Sequence, residues 1–497
     1  MTWYGRHFRL IALRLACSLS LIAASGAAAL GQQAADQAPP AARMLRAGAC
    51  AIDVTPLTFP VKVNGGMTER LSSTVTDPLH ARCLVLDDGS TQIALAVVDS
   101  CVMPGALIDS AKEMVEQRIG LPPSQVLISA THSHSTPSVL SILGSGQNDD
   151  YAVYLAQRIA EGIVTAHGRL TPARIGWAVG SDPRNVFCRR FIMQPGTAAT
   201  NPFGGTTNDR AQMNPGYQNR DAIARTGPVD TDVSVLSVQT RDGTPLAVLG
   251  NYSTHYAGAP ELSADYFGVF ARRIGQLIGA TGTTPEFVGI MTNGTSGDAN
   301  CCDFVNPPRE FDYRTVGEDV AQAAWAAYQQ IVYQDWVPLA TACETLQLGV
   351  RKPTAEEVAQ AKELLAQIGD RPPASIPEVY AQETVLLADW PDTRPVPIQV
   401  IRIGALGIVA LPCEAYGSTG LAIKQESPFA TTFTIDLANA YCGYLPPLTS
   451  SCWEATPPGA RGAAILRCRP SRRSAPWSCP CSQGSGNSPP PERPIDT

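Results

Sequence analysis

Two stretches of the chain alternate apolar and polar residues around an Asp-Gly pair. CLVLDDGSTQIALAVVDS (83–100) and VSVLSVQTRDGTPLAVLGNYS (from residue 233) each predict a β-hairpin with a tight turn. Between and after them the period lengthens to that of a helix. Leu107, Ala111, Met114, Val115 and Ile119 line one face of 106–119. The same spacing recurs in 151–167 (Leu155, Ile159, Ile163) and 265–278 (Phe267, Phe270, Ile274, Leu277). A further helix over 354–368 opens on a capping box, Thr354 to Glu357, after Pro353. IQVIRIGALGIVALP reads as an apolar hairpin with Gly404 and Gly407 at its turn. Strands and helices alternate without a fixed repeat. The predicted class is therefore α/β, with mixed sheets flanked by helices in a single large catalytic domain over 47–447.

The pattern fails at both ends. Residues 1–31 combine a basic start (Arg6, His7, Arg9, Arg14) with an uncharged apolar run, Leu15 to Ala29, and small residues at Ala27 and Ala29. That is the anatomy of an export signal peptide, and it predicts a periplasmic or secreted protein. Residues 32–46 read as a flexible leader rich in Ala, Gln and Pro. From about Pro446 the chain turns rich in Pro, Ser, Arg and Cys. Residues 448–497 are expected to be a disordered or non-native tail, because no apolar pattern there can bury a backbone.

Composition sharpens this picture in two ways. The 497 residues are 44% hydrophobic and 16% charged, enough for a sizeable core. The net charge of -7 conceals a more acidic middle, since the signal segment and the tail each carry +3 and leave -13 for 32–447. Such a surface excludes a nucleic-acid polyanion as partner. Fourteen cysteines suit an oxidising compartment, yet no CxxC pair precedes the tail, and the adjacent Cys301 and Cys302 read as buried thiols or as disulfide partners of other cysteines.

Histidine is scarce, six in all. His132 and His134 follow the β-branched run Val126 to Ile128, where residues two apart share a strand face, so both rings are expected to converge at the strand's C-terminal end. His255 closes a second strand-like run, AVLGNYSTHY. Two strand ends bearing histidine suit a metal or reactive site at the mouth of an α/β sheet. Ser135-Thr136-Pro137 after the HxH pair is unlike the Asp-His of a metallo-β-lactamase. A two-metal amidohydrolase barrel needs two further histidines, and His80 and His167 are read as structural. The economy favours one metal. Glu414, after its apolar hairpin, is either paired, metal-bound or at a helix N-terminus. Tyr441 and Tyr444 read as packing residues or ligands.

As an ordered set these motifs are similar to the neutral ceramidase family, also called neutral/alkaline non-lysosomal ceramidases. The resemblance runs through AGACAIDVTP (47–56), TDPLHARCLVLDDG (76–89), VVDSC (97–101), VLISATHSHSTPS, FCRRF (187–191) and GPVDTDVSVLSV (227–238). It continues through NYSTHY, ADYFGVFARR, MTNGTSGDAN (291–300), LPCEAYG (411–417) and ANAYCGYLPP, covering about 47–446. The resemblance implies one Zn2+ per chain held by His132, His255, Glu414 and Tyr441, with His134, Arg189 and Tyr444 as active-site residues; Arg190 competes with Arg189. It implies hydrolysis of the N-acyl amide of ceramide-like lipids, and with a lipid substrate a peripheral contact with a membrane surface; no oligomeric state is assigned. Two departures stand out. Where the family carries a serine implicated in catalysis, Gly297-Asp298-Ala299 is followed by Asn300, while Ser296 lies before Asp298. Asn300 is then either an oxyanion donor or a turn residue. Beyond GYLPP the family's immunoglobulin-like domain is replaced by the tail. Two alternatives stay open: an exported zinc hydrolase of a non-lipid amide or ester, and an inactive binding protein on the same scaffold.

Overall fold

The computed structural model describes residues 43–198, 210–447 and 466–467. Residues 1–31, expected to be an export signal, and most of the expected leader and tail lie outside the described residues. Within them, eight strands form one sheet. In chain order these are β1 (Arg46–Asp53), β2 (His80–Asp87), β3 (Gln92–Val98), β4 (Val126–Ala130), β5 (Thr171–Ser181), β6 (Asp232–Thr240), β7 (Pro245–Tyr252) and β8 (Val288–Asn293). Their spatial order is β8-β7-β6-β5-β1-β2-β3-β4. Each half is an antiparallel hairpin extended by one parallel strand, β3 with β4 and β7 with β8. The halves join through the short β1–β5 ladder, Arg46↔Pro172 and Ala47↔Thr171. Both predicted hairpins are present, and Gly89 and Gly243 take the positive φ that their turns demand (90° and 94°).

A parallel neighbour needs a crossover, and a helix supplies it in each half. Helix α1 (Gly105–Ile119) links β3 to β4, and α2 (Asp149–Gly168) follows β4. Helix α3 (Asp265–Leu277) links β7 to β8, and α4 (Tyr313–Tyr328) follows β8. The periodicity located α1, α2 and α3 to within a residue or two. On α1 it missed Lys112, which is buried although charged, its Nζ donating to Asn439 Oδ1 at 2.8 Å. Burial lowers the Lys112 pKa to about 8.

Period-two alternation explains the layers. In β3, Ala94, Ala96 and Val98 pack under α1 and α2 with Leu107, Ile108, Val115, Leu155 and Ile159. Ile93, Leu95 and Val97 face the opposite way, into a core shared with a second sheet. That sheet comprises β9 (Leu339–Val350), β10 (Thr393–Ile403), β11 (Leu406–Ala410), β12 (Thr431–Ile435) and β13 (Leu466–Arg467), in the order β12-β11-β10-β9-β13. The ordered core is therefore a helix layer over two packed sheets. A helical hairpin, α5 (Ala355–Ile368) and α6 (Ile376–Asp389), is inserted between β9 and β10. The capping box at Thr354 and Glu357 forms as expected. Helix α7 (Gly417–Glu426) precedes β12. Gly404 makes the β10–β11 turn, whereas Gly407 lies inside β11; a Cβ there would sit 2.9 Å from the Phe429 ring, so close packing explains that glycine.

Candidate metal centre

The edges of the large sheet are drawn together by the chain after β12. Asp436 N donates to Asn293 O at the end of β8 (2.9 Å), Ala130 N of β4 donates to Leu437 O (3.1 Å), and Asn439 N donates to Ile128 O (2.8 Å). Histidines that leave distant strands thereby meet. His132 does not lie on β4, which stops at Ala130; its φ of 75° turns the chain instead. The predicted convergence of His132 and His134 is thus achieved by a left-handed turn and not by strand alternation. His132 Nε2 lies 3.0 Å from His255 Nε2 and 3.2 Å from His134 Nε2.

The far nitrogen of two rings is held by backbone. His132 Nδ1 donates to Cys101 O at 2.9 Å, and His255 Nδ1 donates to Ser296 O at 3.1 Å. Protons on those nitrogens leave both Nε2 lone pairs facing one another, which is repulsive unless a cation or a proton lies between. Glu414 completes the group. It belongs to a two-residue strand, Glu414–Ala415, laid parallel to Tyr444–Leu445. Its Oε2 is 3.4 Å from His132 Nε2 and 3.8 Å from His255 Nε2, buried and without a hydrogen-bond partner. Oε1 accepts from the Tyr441 hydroxyl at 2.8 Å.

Such distances suit a small divalent ion. Tetrahedral ligands at about 2.0–2.2 Å from zinc stand about 3.4 Å apart. The ligand atoms of His132, His255 and Glu414 lie within 4.8 Å of one another, and those of His134, His132 and Cys101 form a second such group. His134 is sandwiched between Tyr256, whose ring stacks at 3.7 Å, and Gly65, where a Cβ would meet His134 Cγ at 2.4 Å. Burial, the neighbouring His132 and the Arg189 guanidinium hold the His134 pKa well below the usual range. Burial and Arg189 do the same to His255. At His132 burial also opposes charge, but the Glu414 carboxylate outweighs it and lifts the pKa to about 10. Burial alone would raise Glu414, but the attraction of His132 keeps it lowered. The Glu414 carboxylate thus favours positive charge between the two rings, which a divalent cation would supply.

Arg189 reaches the same space. Its Nη2 donates to Gly297 O (3.0 Å) and to the Tyr444 hydroxyl (3.4 Å), while its buried Nε has no partner. Arg190 begins the adjoining strand Arg190–Met193 and is fully buried. The structure thus brings together His132, His134, His255, Glu414, Tyr441, Tyr444 and Arg189. It does not bring Asn300 into the group. That residue pairs with Phe187 in a short ladder, its amide donating to Asn214 Oδ1 and accepting from Cys302 N. The hydroxyl beside the histidines is that of Ser296, which accepts from Asn293 Nδ2 at 3.0 Å and lies 3.4 Å from His255 Nδ1. His80 opens β2 and His167 ends α2; neither joins a candidate metal group among the described residues. Cys101, Gly65, Tyr256 and Ser296 were not singled out by sequence reasoning as supports of the histidines, although VVDSC and MTNGTSGDAN contain two of them.

The molecule is thus a mixed α/β protein whose two sheet edges close over a His, His, Glu group. Solved structures of ceramidases share this fold. The crystal structure of neutral ceramidase from Pseudomonas aeruginosa matches with a TM-score of 0.63 and 17% sequence identity, over 85% of this chain and 71% of that one. A ceramidase complexed with C2 matches with a TM-score of 0.62 and 16% identity, over 85% and 72% of the two chains. No family model and no curated protein matches the sequence.

Proposed function

We propose that this chain is an exported zinc-dependent amide hydrolase that cleaves the N-acyl bond of ceramide-like lipids to a fatty acid and a sphingoid base. The observation that carries the reading is the 3.0 Å approach of two imidazole Nε2 atoms, each with its Nδ1 tied to a carbonyl, beside an unpartnered carboxylate oxygen. His132, His255, Glu414 and Tyr441 would hold the ion. Bound zinc polarises a carbonyl and lowers the pKa of water to about 7. The chain's own residues do the rest. His134, neutral and stacked on Tyr256, accepts the proton of the attacking water and returns it to the leaving amine. The free Nε of Arg189 and the hydroxyl of Tyr444 hold the amide oxygen as charge develops on it. Burial of His132, His255, Glu414 and Arg189 strengthens the interactions they make. The likeness to neutral ceramidase structures supports the lipid amide as substrate, and the basic, apolar start of the sequence supports export.

The test is zinc quantification on the purified chain alongside a panel of N-acyl sphingoid bases, N-acyl amines and soluble esters. One zinc per chain with release of fatty acid from the sphingoid amides is expected. A folded chain without stoichiometric zinc would point to a binding protein on this scaffold. Turnover confined to soluble esters would reject the lipid substrate.

A further inference from the structure

The short segment after β12 bonds to the ends of β4 and β8 and to the chain just before Glu414. Besides its bonds to Asn293, Ala130 and Ile128, its Leu437 N donates to Cys413 O (3.3 Å) and its Ala438 N to Leu411 O (2.9 Å). Its first residue, Asp436, is wholly buried, 0% exposed. Its Oδ2 accepts from Ala415 N at 2.8 Å, one residue beyond Glu414, and the Ser296 backbone N–H also acts on the carboxyl. Its Oδ1 is buried with no hydrogen-bond partner. An incompletely satisfied carboxyl in a core costs stability, and an apolar residue of similar size would pack there without that cost. Nothing in the reaction outlined above uses it.

We propose that Asp436 is a positioning residue: its carboxyl fixes the backbone on the far side of Glu414 and the Ser296 turn whose carbonyl orients His255, so that one side chain sets two ligands at once. The inference rests on the metal reading of the site. It assigns Asp436 no contact with substrate. Outer-shell groups of this kind are generally worth about 10–100-fold in metal affinity. Glu414 has a second fixing bond, its own N to Gly443 O at 3.0 Å, so its strand survives the loss of Asp436 while the aim of the carboxylate does not.

The experiment compares wild type with Asp436→Asn and Asp436→Ser by chelator competition for zinc, by the rise in Tm on adding zinc, and by kcat and KM on an N-acyl sphingoid base. Asp436→Ser, too short to reach Ala415 N, is expected to bind zinc at least about tenfold more weakly and to lose kcat with KM nearly unchanged, whereas Asp436→Asn, whose amide oxygen still accepts from Ala415 N, is expected to recover most of that loss. The zinc-induced rise in Tm should shrink accordingly. Zinc affinity and kcat within twofold of wild type in folded Asp436→Ser, or an Asp436→Asn no better than Asp436→Ser, would overturn the proposal, even if the apo Tm fell. Failure of both variants to fold with zinc present would place Asp436 in the core and overturn it equally. A wild type that binds no zinc would instead refute the metal reading itself.

Discussion

The two halves of the large sheet present their histidines by exchanged routes. In the first half His132 follows the crossover strand β4, and its Nδ1 is held by Cys101 O, which follows the hairpin strand β3. In the second half His255 follows the hairpin strand β7, and its Nδ1 is held by Ser296 O, which follows the crossover strand β8. Each parallel pair thus supplies one ring from one strand end and one carbonyl from the other. The holder is a backbone atom in both, so the ring's aim depends on chain path more than on side-chain identity. The halves differ in cost and equipment. The first needs a non-glycine residue at φ 75° and adds His134; the second needs neither.

Breaking either half should be equally damaging. His132→Ala and His255→Ala are each expected to abolish stoichiometric zinc and turnover together, measured by metal analysis and fatty-acid release; persistent turnover in one would show that the halves are unequal. Gly65→Ala separates the extra equipment of the first half. Its φ of 96° and the 2.4 Å approach of a Cβ to His134 Cγ force that ring to move. Zinc should be retained while kcat falls by about 100-fold, the usual penalty for a displacement on the order of 1 Å. Cys101→Ala and Ser296→Ala sharpen the role of the carbonyls. Both should stay within roughly threefold of wild-type kcat/KM, because each loses a side chain and keeps the holding oxygen; this corresponds to less than about 1 kcal/mol. A much larger loss in Ser296→Ala alone would assign chemistry to its hydroxyl.

The smallest effect concerns the support of the first half by α6. Glu383 Oε1 accepts from Leu143 N at 2.7 Å in the loop after His134, and burial raises its pKa from 4.5 to about 7. Below pH 4.5 the group is protonated in both folded and unfolded chains, and its favourable contribution is complete. As pH rises toward 7 the unfolded chain releases the proton first, so stability declines and the contribution is lost above 7. Glu383→Gln should flatten the Tm profile across that interval without altering zinc content. An unchanged slope would remove Glu383 from the account.

Much of the scaffold was legible because it rests on local periodicity. The hairpins, α1 to α3 and the capping box of α5 follow from residue spacing and turn chemistry alone. The mixed class follows from their alternation. The candidate histidines His132, His134 and His255 follow from a scarce residue type at strand ends, whereas Glu414 stayed open on its spacing and was a ligand only by the family resemblance. Other features were hidden for physical reasons. The apolar spacing of α1 carries no sign that Lys112 is buried, and only the arrival of Asn439 from 327 residues away explains it. Asn300 stood at the expected serine position, yet its pairing with Phe187 carries it to Asn214 and Cys302, while Ser296 meets His255.

By itself the sequence determined which segments become strands or helices and which side chains are able to ligate a cation, because both depend on neighbours within a few residues. Only the tertiary structure decided which of those side chains meet. His132, His255 and Glu414 are separated by 123 and 159 residues, and their meeting depends on two sheet edges being joined by the chain after β12. Such closure is a property of long-range packing, and local pattern carries no record of it.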